Sequence, residues 1–177
     1  YCTSSTVDPI KGLFYVGKPV AELAFKEPEE VIYLLYHGKD PYPDELKAFK
    51  ADLARRSNLS DAFIAQLKAL PRVGHPMQHF SAALLIAGMF ESKTDYREDC
   101  LNLIAKIPAI AAHVINNHAG FGGCKPSNPS LGYIENFTQM LNVPLANPAE
   151  LTEAFKLFSI LHFDHGGGNL STFVGKA

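Results

Sequence analysis

Tryptophan is absent from this chain of 177 residues, and cysteine and methionine occur three times each. Cys2, Cys100 and Cys124 are odd in number and far apart, which argues against the disulfide framework of a small secreted domain and for a reducing compartment. A cytoplasmic location is the expectation. Neither sign of charge dominates: 16 Lys and Arg stand against 18 Asp and Glu, for a net charge of -2. Nucleic-acid binding needs clustered cations to neutralise phosphates, and here they are scattered. Also missing are an apolar run of about 20 residues, the length a bilayer-spanning helix needs, and a charged-then-apolar leader at the start of the chain. No membrane partner is expected. No internal repeat, low-complexity tract or interdomain linker interrupts the chain.

What the chain does have is helical periodicity. A short extended arm or hairpin is expected over residues 2–15, where Thr, Ser and Val mix with Asp8, Pro9 and Gly12. Helices follow at 20–25 and 28–36, the second closed by Gly38 and the prolines at 41 and 43. Residues 44–56 and 60–70 read as two amphipathic helices forming a solvated layer, opened by Asp and Ser caps. Residues 76–90 are almost all small or apolar, so that helix is expected to be buried, with Ser81, Ala82, Ala83, Ala87 and Gly88 admitting another helix at close range. A long helix over 95–118 contains Pro108, whose missing N–H costs about 3 kcal/mol unless a bend absorbs it. Cys100 reads as core packing on that helix. The Gly- and Pro-rich segment 120–132 is long for a loop in a helical bundle and free to move. The fold class expected is mainly α.

Most of the polar chemistry is concentrated at residues 162–171, His162-Phe163-Asp164-His165-Gly166-Gly167-Gly168-Asn169-Leu170-Ser171. Leu151, Ala154, Phe155, Phe158 and Leu161 recur at helical spacing and deliver His162, which continues that face and reads as a hydrogen-bonded core histidine. The glycines break the helix, and Asn169 and Ser171 can cap another whose free N–H groups would face an anion beside His165. No lysine follows the glycines at Walker spacing, so a phosphate loop has no support. His162, Asp164 and His165 are competent metal ligands, but no third histidine or cysteine stands at a familiar distance. A carboxylate site is the better reading.

That segment resembles the H-x-D-H-E/G-G-G-N-x-S signature of the citrate synthase family. Other segments agree in order. Residues 12–19, G-L-F-Y-V-G-K-P, are similar to the family's opening G-I/L-x-Y/F-R-G, and residues 29–38 to its E-E-x-x-x-L-L-x-G. His75-Pro76-Met77 with Ser81-Ala82-Ala83 matches H-P-M-x-x-x-S/T-A-A; residues 105–108 match A-K-I/L-P, and 136–141 match N-F-x-x-M-L. The resemblance covers nearly the whole chain. Val16 stands where the family usually carries Arg, and Gly166 replaces a common Glu.

The resemblance implies a multi-helix fold, with residues 1–177 as the N-terminal part of the large domain and the small domain outside the chain. The reaction implied is condensation of acetyl-CoA with oxaloacetate to citrate and CoA, the first step of the tricarboxylic acid cycle. Here His165 would hydrogen-bond oxaloacetate with Asn169 beside it, while Ser171 would orient a catalytic histidine. The aspartate base, that histidine and a second one that polarises the ketone are expected beyond Ala177, so no catalytic residue is assigned within the chain and these residues alone would be inactive. Acetyl-CoA is a substrate; no cofactor or metal is expected. A homodimer is expected through the helices at 76–90 and 95–118. A 2-methylcitrate synthase using propionyl-CoA and a non-catalytic dimerisation module are the alternatives.

Overall fold

The computed structural model describes residues 4–91, 95–144 and 147–165. Among them are three short strands and eight helices, so the mainly α expectation holds. The chain divides into two compact units, residues 1–49 with 149–177, and residues 50–148.

The first unit begins with an antiparallel meander, β1 (Ser5–Asp8), β2 (Gly12–Tyr15) and β3 (Lys18–Pro19), in the order β1-β2-β3. The hairpin is built by its turns. Asp8 Oδ1 accepts from the N–H groups of Ile10 and Lys11, both at 2.8 Å, and closes the first loop. Tyr15 pairs with Lys18 across a two-residue turn in which Val16 takes φ 49°, a left-handed conformation costing a β-branched residue about 1–2 kcal/mol. Helices α1 (Val20–Leu23) and α2 (Pro28–His37) follow, and α2 starts on a proline at its first turn, where no N–H is needed. The core of this unit is Tyr15, Leu23, Val31, Leu34 and Ile160, with Leu13, Val16, Val20, Leu35 and Phe163 against it. Ile160 comes from α8 (Pro148–His162), the last helix of the chain described.

Helix α3 (Pro43–Arg56) contributes residues to both units. In the second unit, α4 (Asp61–Ala69) is capped by Ser60, whose Oγ accepts from Phe63 N at 3.2 Å. Helices α5 (Pro76–Glu91) and α6 (Tyr96–Ala119) pack with it around Phe63, Leu67, Ala83, Ala87, Ile110 and Val114. Asp95 caps α6, accepting from Arg97 N at 2.9 Å. Pro108 sits inside α6, which continues through it as helix, and its missing N–H leaves the Ile104 carbonyl without its helical donor. Tyr133 supplies the replacement, donating its hydroxyl to Ile104 O at 2.6 Å. Tyr133 belongs to α7 (Tyr133–Met140), a helix absent from the sequence expectations; Glu135 caps it by accepting from Gly132 N at 3.0 Å, and Ile134, Phe137 and Met140 are its buried stripe.

Three expectations about burial are corrected. In α5 only His79, Ala83 and Ala87 are buried, whereas Leu85 and Met89 are 72% and 83% exposed. An all-round apolar helix has no moment to say which face is covered, and this chain covers only one. Cys100, assigned to the core, is exposed, because it lies in the charged first turns of α6, where the buried face carries Leu101 and Asn102 instead. His162, read as a core histidine, is exposed as well, because the stripe of α8 that packs inward carries Ile160, while Phe158 and Leu161 lie outward. The segment 120–132 is tied down: Asn128 N donates to Asn136 Oδ1 at 2.9 Å, and Asn136 Nδ2 to Ser127 Oγ at 2.7 Å.

Candidate functional site

The junction between α8 and the residues after it is organised by side chains from the meander. A helix leaves its last carbonyls without partners, and at Ile160 that carbonyl is buried. Tyr15, fully buried at the end of β2, donates its phenolic proton to Ile160 O at 2.8 Å. The Tyr15 hydroxyl oxygen in turn accepts the N–H of Asp164 at 3.3 Å. One hydroxyl thus spans the helix end and the next turn of chain. Ser4 adds a third tie, its Oγ donating to Asp164 Oδ2 at 2.5 Å. Burial, and after it the nearby Asp164 charge, pushes the Tyr15 phenol upward despite the opposing Asp164 N–H. The hydroxyl therefore stays protonated and remains a donor at neutral pH.

Two histidines flank this anchored aspartate. His162 ends α8 with its Nδ1 2.7 Å from Phe158 O; a carbonyl can only accept, so Nδ1 carries a proton. Its ring stacks on Phe158 with centroids 4.1 Å apart. His165 lies one residue past Asp164 and is exposed. Among the described residues, no three of His, Cys, Asp and Glu converge as metal ligands would. Asn169 and Ser171, the other expected site residues, lie outside the described residues, as does the helix expected to begin there.

The sequence reading singled out His165 but missed Tyr15 and Ser4, and weighed Asp164 only as a metal ligand. A signal for Tyr15 existed. A tyrosine on the inward face of a strand must find a partner for its hydroxyl, and an unpaired helix carbonyl is the nearest kind of acceptor.

A helix ending in this anchored His-x-Asp-His turn is matched along its whole length by known proteins. The family model for "Citrate synthase, C-terminal domain" matches residues 1–177. The chain belongs to the citrate synthase family. Citrate synthase 4 of Arabidopsis thaliana is 32% identical over 196 residues, covering 97% of this chain and 41% of the relative. The 2-methylcitrate synthase of Emericella nidulans is 32% identical over 203 residues, covering 98% and 44%. The crystal structure of citrate synthase from Thermotoga maritima superposes with a TM-score of 0.81 at 27% identity, over 98% of this chain and 46% of that one. The chain therefore spans less than half the length of these citrate synthase relatives. Both curated relatives are mitochondrial, which overturns the cytoplasmic expectation. Unpaired cysteines indicate only a reducing compartment, and more than one compartment meets that condition.

Proposed function

We propose that the protein of which these residues form a part condenses acetyl-CoA with oxaloacetate and hydrolyses the thioester product to citrate and CoA. Membership in the family over residues 1–177, with its histidine motif on a tied-down helix end, is the observation that carries the reading. The chemical demand is removal of a proton from a weakly acidic methyl group and stabilisation of the charge that develops when the carbanion attacks a ketone. His165 would contribute by donating a hydrogen bond to oxaloacetate. A charged hydrogen bond to a carboxylate is worth about 1.5–3 kcal/mol, and a turn fixed by Tyr15 and Ser4 spares the entropy of ordering it. By the motif, Asn169 would stand beside the substrate and Ser171 would orient a catalytic histidine. No resident cofactor or metal is assigned a role.

We further infer a homodimer, supported by the apolar side chains that α5 leaves uncovered, Leu85 and Met89 among them, and a mitochondrial setting, supported by the names of the relatives. A second reading has an observation of its own: the Emericella nidulans relative is a 2-methylcitrate synthase at the same 32% identity, so propionyl-CoA competes as the thioester. One methylene is worth about 1–3 kcal/mol, and kcat/KM decides between them. The full-length protein should release CoA thiol from acetyl-CoA in the presence of oxaloacetate at least about tenfold more efficiently than from propionyl-CoA. The reverse preference would establish the second reading, and no turnover of either thioester would overturn both. Sedimentation at micromolar protein checks the dimer, which a monomer would refute.

A further inference from the structure

In the second unit a cleft of about 340 Å³ opens between the C-terminal end of α4 and the C-terminal end of α6. Its lining includes Lys68, Arg72 and His113 together with Asn117, Gly120 and Gly123, and no acidic side chain among the described residues. The amide of Asn117 is already engaged, donating to Leu67 O at 3.4 Å. The side chains of Lys68, Arg72 and His113 are not: among the described residues, none of the three takes part in an ion pair or a side-chain hydrogen bond. Arg72 is held close to the loop, its guanidinium filling the space that a Cβ on Gly120 would need, and Gly120 at φ 75° is itself in a conformation that favours glycine.

The simplest account of two cations here is that they offset the negative ends of α4 and α6. Each helix end carries about half an elementary charge, so one cation would balance both. Lys68 and Arg72 supply two. Beside them, burial and then the Lys68 charge hold the His113 imidazole below the usual histidine range. A cleft lined by unpaired cations and without a carboxylate is built for an anion.

We propose that this cleft binds the dianionic phosphate of a small phosphomonoester, with Arg72 and Lys68 against the phosphate oxygens and His113 sharing a proton with it. Arginine presents a planar fork that meets two phosphate oxygens at once, and lysine adds a mobile point charge. A phosphomonoester has its second ionisation near pH 6, close to that of imidazole, so a proton can rest on either partner; a dicarboxylate offers no such match at neutral pH. The volume is at the low end of the roughly 300–1,000 Å³ usual for ligand pockets and exceeds what a bare phosphate fills, leaving room for a few carbon atoms.

Glycerol 3-phosphate, inorganic phosphate and malonate are titrated into the full-length protein at constant ionic strength, by calorimetry and by the NMR signals of the His113 ring. Glycerol 3-phosphate is expected to bind saturably with a Kd below about 1 mM, more tightly than inorganic phosphate or malonate, and to raise the pKa of His113. Arg72→Gln and Lys68→Met, both at exposed positions, should each weaken it by about tenfold or more, and Lys47→Met, outside the cleft, should not. Absence of saturation, affinity unchanged from the unsubstituted protein in both cleft variants, or an unmoved His113 ring would overturn the proposal. Malonate binding as tightly as glycerol 3-phosphate would overturn the phosphate assignment. Since the unsubstituted protein reports through His113, failure of a variant to fold leaves the test intact.

Discussion

The hydroxyl of Tyr15 and the carbonyl of Ile160, 145 residues apart in sequence, form a buried hydrogen bond of 2.8 Å that joins the opening hairpin to the end of α8. It occupies the place where an eleventh-hour change of chain direction brings in Asp164 and His165, and the same hydroxyl accepts the Asp164 N–H. Removing it therefore tests both the fold and the site. Tyr15→Phe keeps the ring in the core but leaves a buried carbonyl unpaired, and should cost about 1–3 kcal/mol in urea unfolding. It should also raise KM for oxaloacetate, because the turn bearing His165 loses two ties. Wild-type stability together with wild-type KM would refute the anchoring role.

His165→Ala should weaken oxaloacetate binding roughly ten- to hundredfold, equivalent to about 1.5–3 kcal/mol, with the fold unchanged. His162→Ala should leave affinity nearly as it is and shift stability by no more than about 0.5 kcal/mol, because its ring is exposed and caps only its own helix. Calorimetry with oxaloacetate on the two variants separates them. Equal affinity in His165→Ala and wild type would sink the substrate assignment.

Tyr133→Phe should destabilise by about 1–3 kcal/mol, since Ile104 O, deprived of a helical donor by Pro108, would lose its substitute. The same substitution made together with Pro108→Ala should cost clearly less, because alanine restores the N–H that Ile104 O would accept. A double-mutant cycle measures this coupling. Additive costs would show that the tyrosine serves some other purpose.

Stability should fall on mild acidification through His113. Its folded pKa is held below the unfolded value of 6.5 by burial and then by Lys68, so at pH values between the two the unfolded chain binds the extra proton. The contribution is fully present above pH 6.5 and is lost as the pH drops through the folded pKa. In phosphate-free buffer, the melting temperature of His113→Gln should decline less than that of wild type between about pH 7.5 and 5.5. Parallel declines would show that the imidazole is not responsible.

Local signals carried the helices well. The caps at Ser60 and Asp95 and the stop at Gly38 are properties of a few neighbouring residues, and the observed boundaries fall close to them. The family signature at 162–171 was likewise legible as a run of residue types. Burial was less so. Pro76–Glu91 and Pro148–His162 carry apolar residues on more than one face, and periodicity alone could not choose among Ile160, Phe158 and Leu161 for the inward position.

The sequence by itself determined the family, the mainly helical class and the position of His165 next to an acidic residue, because those depend on residue identity and on neighbours within a few turns. Only the tertiary structure decided that Ile160 faces inward and His162 outward, that Tyr15 and Ser4 hold Asp164, that Tyr133 repairs the gap made by Pro108, and that Lys68, Arg72 and His113 line one cleft. Each of these rests on a meeting of residues far apart in the chain, and the free energy that selects it comes from burying and pairing polar groups in three dimensions, which leaves no periodic trace along the sequence.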